Sequence, residues 1–198
     1  MNALRLSDFR PRPRAATPFW SSTVKCPRLS PWFFALLLLL LGAAAPAHAA
    51  DEQMPVPAKF QAVLFKRIFA YERVLKAQPG VRVLLASESS AASELQREFE
   101  AVGVSAHLMA PDEARVQLSP DTVLFLFPDS SPALRELALK RKVLCISGYP
   151  ALVLEGKASI GVDKKSDGKP QILVHLKRLK AEGHELSADV LRLARVVP

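Results

Sequence analysis

The 198-residue chain carries 16 prolines and a formal charge of +8, with a pI near 9.8. Residues 1–49 hold six of the 27 bases against one acid, so 50–198 carry 21 bases and 18 acids, and the basic balance gives no footing for a nucleic-acid protein. Cys145 is the single thiol beyond residue 49, which excludes an internal disulfide framework and a multi-cysteine metal site there.

Trp32 to Ala45 runs WFFALLLLLLGAAA, fourteen residues without a charge. A membrane-crossing helix needs roughly 20 apolar residues, so the run is short for a permanent anchor. Bases precede it and Ala47-His48-Ala49 follows, the pattern of a secretory signal peptide over 1–49, cleaved after Ala49. The expected address is the periplasm, with membrane contact confined to the leader before cleavage. No cysteine stands just after the site, which argues against a lipid anchor. Residues 50–198 are one domain's worth of chain.

Pro55 and Pro57 open a first helix, in which Phe60, Leu64, Ile68, Tyr71 and Leu75 recur on one face of a 3.6-residue period. Pro79-Gly80 ends it, and Val81–Ala86 is a strand closed by Ser87-Glu88-Ser89-Ser90. A second helix follows, with Ser90 as N-cap, Leu95, Phe99 and Val102 on one face, and Gly103 at C′. Val104–Met109 is a weaker strand; Thr122–Phe127, apolar on both faces, is the central one. Ser131-Pro132 starts a third helix carrying Leu134, Leu137 and Ala138 inward, and Lys140-Arg141-Lys142 closes it. Val143–Ser147 is the next buried strand.

After Gly148 the pattern changes. Two strand-like runs, Ser159–Asp163 and Gln171–Leu176, flank Asp167-Gly168, a strong hairpin signal. A helix from about Leu176, a break at Gly183 and a last helix, Ala188–Val196, finish the chain; Leu186, Val190, Leu193 and Val197 form its inward stripe, with Ser187 as its cap. Strand–helix alternation predicts an α/β fold: a single-domain αβα sandwich with a mainly parallel sheet, a C-terminal hairpin and a closing helix.

In such sheets ligands gather at the carboxyl ends of the strands. Three loops would meet there, offering Ser87 and Ser89, Asp129 and Ser130, and Gly148 and Tyr149 as a ligand- or partner-binding edge. The same residue types also serve as ordinary caps and turns, and the pattern leaves both roles open. No loop matches a phosphate-binding glycine motif. His107, His175 and His184 have no metal-ligand spacing, no GxSxG elbow occurs, and Cys145 sits in an apolar run, so no catalytic residue, metal or cofactor is expected. Lys164-Lys165 and Lys177-Arg178-Lys180 lack interleaved aromatics and read as solvated faces.

The string Val174-His175-Leu176 through Gly183-His184-Glu185-Leu186-Ser187-Ala188-Asp189-Val190-Leu191-Arg192-Leu193-Ala194-Arg195-Val196 resembles the closing signature of the YfiR-like family of small periplasmic proteins. Gly156–Val162 is similar to that family's preceding glycine-containing strand, and Ala62–Tyr71 to its first helix. His175 stands where the family has asparagine, and Ala188 where it has a second serine. The resemblance implies an exported, non-enzymatic regulatory protein that binds the periplasmic part of a membrane signalling protein, best known as a diguanylate cyclase. It leaves room for a homodimer. A periplasmic small-molecule binding module is the alternative from a different class.

Overall fold

The first described helix shows how the sequence chooses its inside. The computed structural model describes residues 54–78 and 80–198; the leader and its expected cleavage after Ala49 lie outside them. Helix α1 (Ala58–Phe69) starts behind Pro57 and buries Ala58, Gln61, Ala62, Phe65, Ile68 and Phe69. That is the stripe next to the expected one: Phe60 and Tyr71 are 56% and 53% exposed. The reason is aromatic packing. Phe65 stacks on Phe69, tilts against Phe99 and meets Phe125 edge-on, with ring centroids 6.1–6.3 Å apart. The expected periodicity through Leu75 is also divided. The helix ends at Phe69, and Leu75 belongs to a separate turn, α2 (Arg73–Lys76), capped by the Glu72 side chain.

Strand β1 (Arg82–Ala86) leads to α3 (Ser90–Ala101). Its N-cap is Ser89, one residue before the expected Ser90, with the Ser89 hydroxyl accepting from the Ala92 N–H. Gly103 follows in the left-handed region at φ 79°, where a helix C-terminus favours glycine. Strand β2 (Ser105–Met109), helix α4 (Pro111–Gln117) and strand β3 (Thr122–Phe125) come next. Helix α5 (Pro132–Lys140) is capped by Ser131 with proline in its first turn, as expected. Then follow β4 (Leu144–Ser147), the short α6 (Pro150–Leu154), and the hairpin β5 (Ile160–Lys164) and β6 (Pro170–His175). The chain finishes with α7 (Leu176–Ala181), α8 (Ala188–Leu193) and β7 (Arg195–Val197). The expected last helix to Val196 therefore stops early. Arg195–Val197 leave it to pair with Leu173–His175 of β6, which satisfies backbone groups that a frayed helix end would leave to water.

The seven strands form one sheet in the order β2-β1-β3-β4-β5-β6-β7. The first five are parallel, β6 is antiparallel to β5, and β7 is parallel to β6. Ring contacts place α1 and α3 on the face that Phe125 presents. Cys145 and Leu124, in register on β4 and β3, belong to the opposite face, where α7 approaches through Arg178. The fold is thus α/β with a mostly parallel sheet covered by helices. Strands β3 and β4 are buried at every position, as strands covered on both sides should be.

Candidate functional site

Chain order makes a particular point on the carboxyl edge of the sheet. The chain leaves β1 for β2 on one side and returns to β3 on the other, so the loops after β1 and β3 diverge there. Crevices at such switch points are the usual ligand sites of open α/β sheets. Ser87, Ser89 and Asp129 do meet at this point: the Ser87 hydroxyl donates to Ser89 Oγ at 3.1 Å, with Asp129 Oδ2 at 3.5 Å as a second acceptor.

Most of these hydroxyls, however, are spent on the fold itself. Ser89 Oγ caps α3, and its own N–H donates to Ser87 Oγ at 3.2 Å. Ser130 is buried and closes a turn, accepting the Phe127 N–H at 2.9 Å. Ser147 donates to Leu126 O and accepts from Tyr149 N–H. Gly148 and Tyr149 lie one strand further on. A Cβ at Gly148 would sit 2.2 Å from Gln61 Oε1, so any side chain there would have to displace the buried Gln61 amide of α1. Tyr149 is 6% exposed, its ring edge-on to Phe127 at 6.3 Å. Of the six expected residues, Ser89 and Asp129 face solvent and Ser87 lies beneath them; Ser130, Gly148 and Tyr149 build the wall.

A second region was not expected from the sequence. The outward stripe of α1, strand β6 and helix α8 enclose a groove of about 310 Å³ lined by Leu64, Arg67, Ile68, Tyr71, Ile172, Asp189, Val190 and Leu193. Leu193, assigned to the inward stripe by periodicity, is 76% exposed at its lip, whereas Leu186 and Val190 are buried. Helix α1 carries Lys59, Lys66 and Arg67 and no acid. Asp189, the acid of the groove, pairs with Arg192 at 3.8 Å. The groove is therefore apolar within, with Arg67 of α1 and Asp189 of α8 as the charged residues of its lining. Its signal in the sequence was a helix apolar on two neighbouring stripes, only one of which a sheet can cover.

Two buried polar clusters hold the tail. Glu182 accepts from the Cys145 N–H at 3.1 Å, from the Ser159 hydroxyl and from Arg178 Nε at 2.7 Å. Burial opposes the Arg178 charge, but Glu182 more than compensates and raises its pKa. Burial and the Glu182 charge push the Cys145 thiol well up, so a reactive thiolate is disfavoured there. His175 caps α7, its Nδ1 accepting the Arg178 N–H at 3.2 Å. An imidazole nitrogen here performs the N-cap acceptor role for which asparagine is favoured. The second cluster joins Glu72, His184 and the Lys142 carbonyl.

Among the described residues no group of three or more His, Cys, Asp or Glu is placed to hold a metal ion, and no helix is long and apolar enough to cross a membrane.

No protein-family model matches the chain, and no curated protein does. Solved structures are similar at the level of fold. One is the ABC domain in complex with L-Trp from Streptococcus pneumonia, at 16% identity and a TM-score of 0.51. Another is a conserved domain protein from Vibrio cholerae, at 11% identity and a TM-score of 0.53. Each match covers 72% of this chain and 60% of the other, so this chain spans less than two thirds of their length.

Proposed function

We propose that the protein is a periplasmic, non-enzymatic regulator of the YfiR-like kind that acts by occupying the periplasmic part of a membrane signalling protein, a diguanylate cyclase being the type of partner the resemblance implies. The observation that carries the reading is the groove between α1 and α8. Exposed apolar patches of this kind mark interaction sites, and here Tyr71 and Leu193 stand half or more exposed around one concavity, with Phe60 exposed one turn before Leu64 on the same stripe of α1. Arg67, the cation of the lining, selects the occupant: an apolar segment of the partner that carries an acidic side chain beside it. A rigid α/β body regulates through differential affinity for two states of that partner. A preference of about 1–3 kcal/mol shifts the partner's equilibrium by roughly 5- to 150-fold.

The test places a photo-crosslinking residue at Phe60 in the exporting cell, with and without Leu193→Glu. The expected result is capture of an integral-membrane signalling protein by the Phe60 probe, with capture and control of that protein's output both lost in the folded Leu193→Glu variant. Undiminished capture and control in that variant would overturn the groove, and turnover of a substrate by the purified protein would overturn the non-enzymatic reading.

A second reading, a small-molecule module, is favoured by the meeting of Ser87, Ser89 and Asp129 at the switch point. The solved structure of like fold that holds L-Trp makes amino acids the first panel to try. A ligand at 100 times its dissociation constant adds about 2.7 kcal/mol of stability. A thermal shift of that size, lost in Asp129→Asn, would support it.

A further inference from the structure

We propose that His184 is a proton-held clamp: a second ring proton fastens the tail to Glu72 and thereby sets the position of α8, one wall of the groove. The geometry begins at Lys142, a non-glycine residue at φ 59° in the left-handed region, where such residues are uncommon. Its carbonyl oxygen lies 3.1 Å from His184 Nε2. A carbonyl only accepts, so Nε2 carries a proton. The other ring nitrogen, Nδ1, lies 3.1 Å from Glu72 Oε1, off the axis of a well-directed hydrogen bond and with no other polar partner. Both side chains are buried.

Glu72 is already fully engaged as an anion. Its Oε2 accepts the Leu75 N–H at 2.6 Å and its Oε1 the Glu185 N–H at 3.1 Å. Burial opposes its ionisation, but the His184 ring and these backbone N–H groups outweigh it and hold the carboxyl below the usual range. A singly protonated ring would therefore point a lone pair at a carboxylate oxygen. Only a ring protonated at both nitrogens makes the contact attractive.

The neighbouring charges leave that assignment standing. The Lys142 ammonium turns to Ala181 O, Glu185 pairs outward with Arg73 at 2.9 Å, and Glu182 is held by Arg178 and Ser159. What the clamp fastens is specific. Arg73 N–H donates to Glu185 O, Ser187 N–H donates to Tyr71 O, and Glu72 and Leu186 form an isolated bridge. Tyr71 and Val190 on either side of this seam line the groove. Loss of the ring proton as pH rises would turn the contact repulsive, loosen Glu185–Ser187 and move the α8 wall. Any bearing on partner control rests on the groove reading above; the clamp itself does not.

The experiment follows the isolated protein by NMR from about pH 5 to about pH 9, a span that brackets histidine titration. Ring ¹⁵N shifts report the His184 protons, and amide protection factors at Ser187 and Val190, corrected for intrinsic exchange, report the seam. The expected result is a doubly protonated ring at low pH, with protection falling about tenfold per pH unit over the range in which the closed seam still holds the ring proton and the opened one has lost it, and levelling off once the closed ring is deprotonated. In Glu72→Gln the amide can donate to a singly protonated ring, so that slope should vanish. A singly protonated ring at low pH in a fully protected tail, or an unchanged slope in Glu72→Gln, overturns the clamp. Should Glu72→Gln fail to fold, the wild-type ring and protection curves decide alone. Because no partner is present, a negative result here leaves the groove intact, and a failed Phe60 crosslink leaves the clamp intact.

Discussion

The carboxyl edge of the sheet and the α1–α8 groove are opposite solutions to the same problem of disposing of side chains. At the edge, serines that look available turn inward: Ser89 and Ser131 cap helices, Ser130 closes a turn and Ser147 ties two strands. At the groove, apolar residues that look destined for the core turn outward: Tyr71 and Leu193, with Phe60 a turn further along α1. Polar residues near helix starts are cheap to satisfy locally, whereas a surplus of apolar surface has no local remedy. The difference teaches that recognition is better sought where the fold leaves surface uncovered than where residue types merely suit a ligand.

The sharpest break between the two stripes of α1 is a pair of truncations. Phe65→Ala should cost about 3–5 kcal/mol, as buried Phe truncations do, while Phe60→Ala should stay within about 0.5 kcal/mol, as surface changes do. Denaturant unfolding of both reads the contrast. Equal costs would mean that α1 is rotated from the orientation described.

Acid unfolding sharpens the comparison from the groove side. The lowered Glu72 carboxyl contributes stability that is complete above its ordinary value of 4.5 and is lost as pH falls through its folded value. Wild type should therefore lose stability more steeply below that point than Glu72→Gln, measured by the unfolding midpoint against pH. Identical slopes would show that Glu72 titrates as in the unfolded chain.

Smaller effects are expected at the edge. Ser89→Ala should cost about 1 kcal/mol through the lost α3 cap. Asp129→Asn should change stability by no more than about 0.5 kcal/mol. If Ser89→Ala is neutral, its hydroxyl is free after all, and the edge regains standing as a ligand site.

The sheet was legible because buried strands are written as unbroken apolar runs, Val83–Ala86 and Val123–Phe127 among them. Gly103, Gly168 and Gly183 marked their breaks because each sits at a positive φ near 80°. Helix α4 escaped notice although Pro111, Asp112 and Glu113 form a proper first turn, because Ala114 is its one buried residue and gives no periodicity. Strand β7 escaped because Arg195–Val197 continue the helical stripe in sequence, and only their pairing with β6 decides otherwise. At the edge, the sequence located Ser87, Ser89 and Asp129 correctly but carried no sign of which hydroxyls would be used internally. The groove and the Glu72–His184 contact join residues more than a hundred positions apart, a relation that no local pattern encodes.

The placing of the tyrosines has a spectroscopic consequence. The chain's two tryptophans, Trp20 and Trp32, both precede residue 50, and its two tyrosines are Tyr71 and Tyr149. Protein beginning at residue 50 would then emit by tyrosine alone, from one ring half exposed at the groove and one buried against Phe127. Iodide should quench the first and spare the second, so Tyr71→Phe and Tyr149→Phe variants would yield two native, label-free reporters, one for each of the regions compared.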